Sequence, residues 1–253
     1  MPIKQTDDRA TRIDKQLKQA LRGLPEKPSD KANQADKKRY SEQVSQAIAL
    51  TLAEELRERG LMEARPSSAA EFGRIGSERR MAGGLGAKKV DVTWATEESG
   101  LLLAISVKTI NFRDSKTNNF QKNLINRRGD MLMEAVTLHR RFPYAVLAAL
   151  FFLDAGAAKD GTEKRRSTFL NAHSRLQLFT GRNDPAGREE QFERFYLLLL
   201  DASPKSANVT AYSVGDSDIP VPLSKIIDDL LRMVSQRNPD FYEYLDGRLV
   251  RAS

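Results

Sequence analysis

Three side chains near the middle of the chain have the types and spacing for chemistry. The segment KKVDVTWA alternates and is rich in β-formers, TEESG supplies a turn, and LLLAISVKTI reads as a second strand, so a hairpin is expected around Glu97 and Glu98. On the second strand Leu102, Ala104, Ser106, Lys108 and Ile110 share one face. The turn sets Asp91 opposite or diagonal to Ser106, so Asp91 and Lys108 fall within reach of one ion. That pairing suits metal-assisted hydrolysis of a phosphodiester. Carboxylates hold Mg²⁺ against the phosphate, and an amine stands near the attacking water or the developing charge. A lysine on an apolar strand costs desolvation unless it is paired or used. The plainer alternative is a structural Asp91–Lys108 ion pair.

A second acid is needed. Glu55 ranks first, because it continues the Val44, Ile48, Thr51 stripe of a helix and so points at the sheet; Glu54 is its rival, and Glu71 and Glu78 follow. The alternative for Glu55 is an ordinary helix-end glutamate beside Arg59. Downstream, NLINRRGDMLMEAVTLHRRF reads as a helix with Asn123, Arg127, Asp130 and Glu134 on one face, flanked by Asn126 and Arg128. That face could meet phosphates or orient Lys108, while mutual Arg/Asp/Glu pairing on a solvated face explains it equally. The segment INFRDSKTNNFQKN reads as a loop whose Arg113, Lys116 and Lys122 have the chemistry for phosphate contacts. KDGTEKRR is a second basic loop. His139 and His173 stand at no recognised metal spacing and are expected to be structural, and Trp94 is expected to pack on the sheet.

The residues KKVDVTW, the turn and AISVKTINF, followed by a polar helix and an apolar strand, resemble the PD-(D/E)XK nuclease superfamily over roughly residues 41 to 154. The resemblance implies a restriction-endonuclease-like α/β fold and Mg²⁺-dependent cleavage of DNA, with Mn²⁺ able to substitute. In that family the motif aspartate and the acid two before the lysine bind metal, the lysine assists the water, and the preceding helix often adds a glutamate. Asp91 matches the first position and Lys108 the last. Ser106 stands where the second acid is expected, and Val90 where proline is nominal. The metal ligands implied are therefore Asp91 and Glu55, and the catalytic set Asp91, Lys108, Glu55 and Ser106. Arg113, Lys116, Lys122, Asn126 and Arg127 are the expected DNA contacts. A restriction or phage-defence setting with partner proteins follows from the resemblance alone, and a two-fold dimer would let two sites address both strands. Because of Ser106, the alternative is a nuclease-like DNA-binding or assembly subunit without chemistry; a third reading is an interaction protein with no nucleic-acid role.

Composition sets the bounds. With 253 residues and 40% apolar content the chain can fill a sizeable core. It has no cysteine, which excludes disulfides, thiolate zinc sites and cysteine nucleophiles, and only two histidines. No apolar run reaches membrane-spanning length, so a cytoplasmic protein is expected. Residues 1 to 40 hold eleven Lys/Arg against six Asp/Glu, or +5 of the +7 total. They read as a basic arm: an amphipathic helix over 9 to 23, carrying Ile13, Leu17, Leu21 and Leu24, then a polar linker. Such an arm can strengthen DNA binding by counterion release, or serve as a solvated tail. A domain over 41 to 253 follows, opened by a helix capped at Ser41, with a flexible glycine-rich stretch before the first strand. Further strands are expected at YAVLAALFFLD, FYLLLLDA and VTAYSV, and helices near 167 to 181 and at LSKIIDDLLRMVSQRN. The alternation argues for a mixed sheet flanked by helices.

Overall fold

Strands covered on both faces must be apolar throughout, and the middle of this chain obeys that rule. The computed structural model describes residues 9–67, 80–83 and 86–252. Its elements are α1 (Arg9–Arg22), α2 (Gln34–Glu58), β1 (Arg80–Gly83), β2 (Gly86–Lys89), β3 (Val92–Thr96), β4 (Gly100–Ile110), α3 (Leu124–Arg141), β5 (Val146–Asp154), α4 (Thr168–Leu176), β6 (Arg194–Asp201), β7 (Asn208–Ser213), β8 (Pro220–Val221), α5 (Leu223–Arg237), β9 (Tyr242–Leu245) and β10 (Arg248–Arg251). No described helix is long and apolar enough to cross a membrane.

Six strands form one mixed sheet in the order β3-β4-β5-β6-β7-β8. The central strands β4, β5 and β6 run parallel, while β3 and β7 pair antiparallel at either side. One face buries Leu103, Ile105, Val107, Ala148, Leu150, Phe152 and Leu198 under α1, α2 and α5. The other buries Ala104, Ile110, Ala149, Phe151, Leu153 and Leu197 under α3 and α4. The result is a mixed sheet between two helical layers.

The N-terminal helical arm docks on the body through α1. Ile13, Leu17 and Leu21 are buried in the same core as α2 and α5. The helix expected from Ser41 begins seven residues earlier, at Gln34, so residue 40 lies inside α2. Asn33 caps it: its Oδ1 accepts from the Asp36 amide at 2.9 Å while its Nδ2 donates to the Asp36 carboxylate at 2.8 Å. This reciprocal cap lies inside the stretch that reads as linker. Gly60 ends the helix with φ +103°, and a Cβ there would run into the Leu249 carbonyl.

Two hairpins lie outside the sequence reading. The glycine-rich stretch expected to be flexible forms the β1–β2 ribbon beside α3. After α5, β9 and β10 pair around Asp246 and Gly247, both at positive φ (45° and 74°). Asp-Gly between alternating strands is a hairpin signal of its own.

Candidate active site

The register Val92↔Ile105 carries one step further to set Asp91 opposite Ser106, and Lys108 lies two residues along the same face. Asp91 Oδ2 accepts from the Val107 amide at 2.8 Å and stands 3.4 Å from Lys108 Nζ. The backbone bond fixes the carboxylate against the strand that carries the lysine. From above, α3 brings Glu134, whose Oε2 is 3.3 Å from the same ammonium. Lys108 thus lies between two carboxylates, at distances longer than the roughly 2.7–2.9 Å of a tight charge-assisted bond. The side chains of Lys108, Asp91 and Glu134 are 16%, 27% and 8% exposed.

Electrostatics follow from this burial. Burial pushes the Glu134 carboxyl above its ordinary range; Lys108 opposes the shift and Asp91 adds to it. For Lys108 burial works downward, but Glu134 and Asp91 together outweigh it and the ammonium is held above its usual value. Lys108 is therefore a cation at any working pH. The Ser106 hydroxyl is buried without a well-formed hydrogen bond, and it lies close enough to Glu134 to favour the charged form.

The triad opens into a groove of about 1290 Å³. Its walls are the N-terminal half of α2, the end of β4 with the loop after it, and α3, from which Arg127, Asp130 and Glu134 line it, with Asn123 just before the helix. Asn111 donates to Ser41 Oγ at 3.1 Å, and Ser45 meets Thr109 at 3.4 Å, so α2 is tied to the end of β4 by hydroxyls and an amide.

The expected DNA contacts divide. Arg113, Lys122 and Arg127 line the groove, whereas Lys116 and Asn126 are exposed outside it. Lys122 Nζ is 2.6 Å from Asp114 Oδ2, and with the turn amides it holds that carboxyl well below the usual range. Arg127 is 3.7 Å from Asp130. The Arg113 guanidinium lies over the Phe120 ring at 5.3 Å. The KDGTEKRR loop is pinned by Asp160, which accepts from the amides of Phe120 and Thr168 at 3.1 and 2.6 Å.

Glu55 requires a correction. It points inward, as its stripe requires, but at the far end of α2 and outside the groove. Its oxygens accept from Arg12 at 2.8 and 3.1 Å and from Arg59 at 2.6 Å, and Arg59 also reaches Asp228 at 2.7 Å. Both oxygens are engaged by guanidinium groups, so Glu55 joins α1, α2 and α5 instead of serving as a metal ligand. Glu54 is exposed, and Glu71 and Glu78 lie outside the described residues. The histidines are structural: His139 meets Glu193, and His173 Nδ1 accepts from the Gly215 amide at 3.1 Å, with burial lowering the ring to about 4. Trp94 packs edge-on against Tyr242.

Position 106 offers a hydroxyl and no carboxylate, and the second carboxylate beside Lys108 in space is that of Glu134. It belongs to the polar face legible in the sequence, yet nothing in that face singles out its innermost member until α3 is docked. Among the described residues no three His, Cys, Asp or Glu side chains converge as a metal cluster. Mg²⁺, however, is held by one or two carboxylates plus waters and substrate phosphate oxygens, and Asp91 with Glu134 meets that requirement. Compared with known proteins, the chain matches no family model, no curated protein and no solved structure.

Proposed function

We propose that this protein is a Mg²⁺-dependent endonuclease acting on DNA, built on a restriction-endonuclease-like core of the PD-(D/E)XK type with Glu134 in the role of the second acid. The observation that carries the reading is the Asp91–Lys108–Glu134 triad at the floor of a groove with basic walls. Asp91 and Glu134 would hold the ion, which when bound polarises the scissile phosphate. Lys108, cationic throughout, orients the attacking water and stabilises charge on the phosphate oxygens. Ser106 lends Glu134 a dipole, favouring the ionised form that a metal requires. Arg113, Lys122 and Arg127 provide phosphate contacts along the walls, and Asp114 and Asp130, the acids beside Lys122 and Arg127, give way to the polyanion. The defence setting, the dimer, partner proteins and a cytoplasmic location rest on the resemblance and composition set out above.

A second reading has its own observation. Lys108 already pairs with both carboxylates, so the triad also stands as a structural ion cluster in a DNA-binding subunit without chemistry. Plasmid DNA incubated with Mg²⁺ or Mn²⁺ decides between them. Nicking that EDTA abolishes and that Asp91→Ala removes supports the enzyme; intact DNA that nevertheless shifts on a gel supports the binder.

The pH dependence has a definite sign. Because Glu134 gains its proton above the ordinary glutamate value of 4.5, binding of Mn²⁺ at subsaturating concentration should fall on acidification with a midpoint above 4.5. Titration followed by Mn²⁺ electron paramagnetic resonance measures this, and Glu134→Gln should erase that limb. An acid limb that is unchanged in Glu134→Gln would exclude Glu134 as a ligand.

A further inference from the structure

Beside the groove, at the carboxyl ends of β5 and β6, lies a separate pocket of about 270 Å³. That is far more room than a bound water needs, roughly 30 Å³. Glu26, Lys27, Tyr40, Asp154 and Asp201 line it, and Asn111 lines both it and the groove. Adjacent strands are ~4.8 Å apart, so the pocket begins one strand from the one bearing Lys108. In open α/β sheets the ends of parallel strands are where ligands gather.

Its polar groups are partly engaged with one another and with nearby backbone. Asp154 Oδ2 takes Lys27 Nζ at 2.7 Å, and Oδ1 takes the Gly156 amide at 2.8 Å. Asp201 accepts from the Ser203 amide at 3.0 Å and Ser206 Oγ at 2.7 Å. Both carboxylates retain lone pairs. Lys27 is steadied over the rings of Phe112 and Phe120, at 5.2 and 6.0 Å. Tyr40 is 2% exposed, and among the described residues its hydroxyl has no hydrogen-bond partner. Burial, with Asp154 and Asp201 nearby, pushes that hydroxyl up to about 12, so it keeps its proton. A buried hydroxyl without a partner is costly, and one lining a pocket is poised to meet a ligand.

From this juxtaposition we infer that the pocket receives an unpaired guanine of the nucleic acid lying in the groove. Guanine presents adjacent donors, N1–H and N2–H₂, to a carboxylate's two oxygens, and acceptors, O6 and N7, to Lys27 and Tyr40. Adenine and cytosine lack the paired donors, and thymine has one imino donor. The Asp contacts use the Watson–Crick edge, so the base must be unpaired or swung out of the duplex. The inference rests on the nucleic-acid reading of the groove, not on its chemistry.

The test is fluorescence anisotropy in EDTA with labelled eight-nucleotide thymidine oligomers carrying one central guanine, inosine or adenine. Wild-type protein should prefer guanine over inosine, which lacks the N2 donor, by about tenfold. Tyr40→Phe removes a hydroxyl without a protein partner, so the thermal midpoint should hold while the guanine preference falls at least threefold. Asp201→Asn, which keeps an oxygen for the Ser203 amide, should bring guanine close to adenine. Equal affinities in the wild type, no binding of any oligomer, or a preference untouched by both variants would each overturn the inference. Plasmid nicking separates the two readings: a guanine preference without metal-dependent nicking sinks the nuclease and spares the pocket, and nicking without any preference does the reverse.

Discussion

Glu134→Gln should lower metal-dependent plasmid cleavage by about 10²–10³-fold, on the scale of losing a principal electrostatic contribution to the transition state. Asp91→Ala and Lys108→Ala should have effects of the same order. The reasoning is geometric. Both carboxylates converge on Lys108 Nζ, at 3.4 and 3.3 Å, and position 106 offers only a hydroxyl. Glutamine is nearly isosteric with glutamate, so α3 should stay docked while the charge needed for an ion disappears. Glu55→Gln is the control. Its carboxylate serves Arg12 and Arg59 at the other end of α2, so it should depress thermal stability and leave the activity of the folded protein intact. Nicking rates of these variants, compared at equal folded fraction, settle which glutamate serves the site. Wild-type rates in Glu134→Gln would remove α3 from the mechanism.

The largest loss of stability is expected at the opposite end of the sheet. Glu193 is fully buried where β6 begins, and its oxygens accept from Arg182 at 2.8 Å, Arg237 at 2.7 Å and the Leu147 amide at 2.6 Å, with His139 Nε2 at 3.3 Å. One carboxylate thereby ties α3, β5, β6 and α5 together. Removing it strands two guanidinium groups that are themselves almost fully buried. Glu193→Ala should therefore cost roughly 3–5 kcal/mol, as breaking a buried ion pair from one side does. At about 2–4 °C per kcal/mol for a chain of this size, the thermal midpoint should fall by on the order of 10 °C. Burial raises the Glu193 carboxyl, but His139, Arg237 and the Leu147 amide outweigh it, so its folded value is depressed. A depressed carboxylate stabilises the fold above its unfolded value and loses that contribution as pH falls through the folded one. The wild type should accordingly lose stability below about pH 4.5, and Glu193→Ala should show a flatter acid limb in denaturant titrations. A change under 1 kcal/mol would mean the arginines find other partners.

Local pattern alone determined much of this protein. Alternation and turn chemistry placed the β3–β4 hairpin, and with it Asp91 across from Ser106 and diagonal to Lys108, because a two-residue side-chain period leaves little freedom once a turn is set. The apolar runs gave β5 as a buried strand and β6 as a further strand, and the 3.6-residue period gave the inward face of α2, including Glu55. What the period does not encode is the partner an inward carboxylate meets. Glu55 and Glu134 both sit on helices with one buried face; Arg59, four residues on, is within reach of Glu55 by spacing alone, but only the docking of α1 against α2 adds Arg12, and only that of α3 against β4 brings Lys108 to Glu134. The same holds for Tyr40, Asp154 and Asp201, more than a hundred residues apart at the extremes and gathered only where α2 meets the carboxyl ends of the parallel strands β5 and β6. Charge placement is a long-range property of packing, and a single sequence records it only where two strands are joined by a short turn.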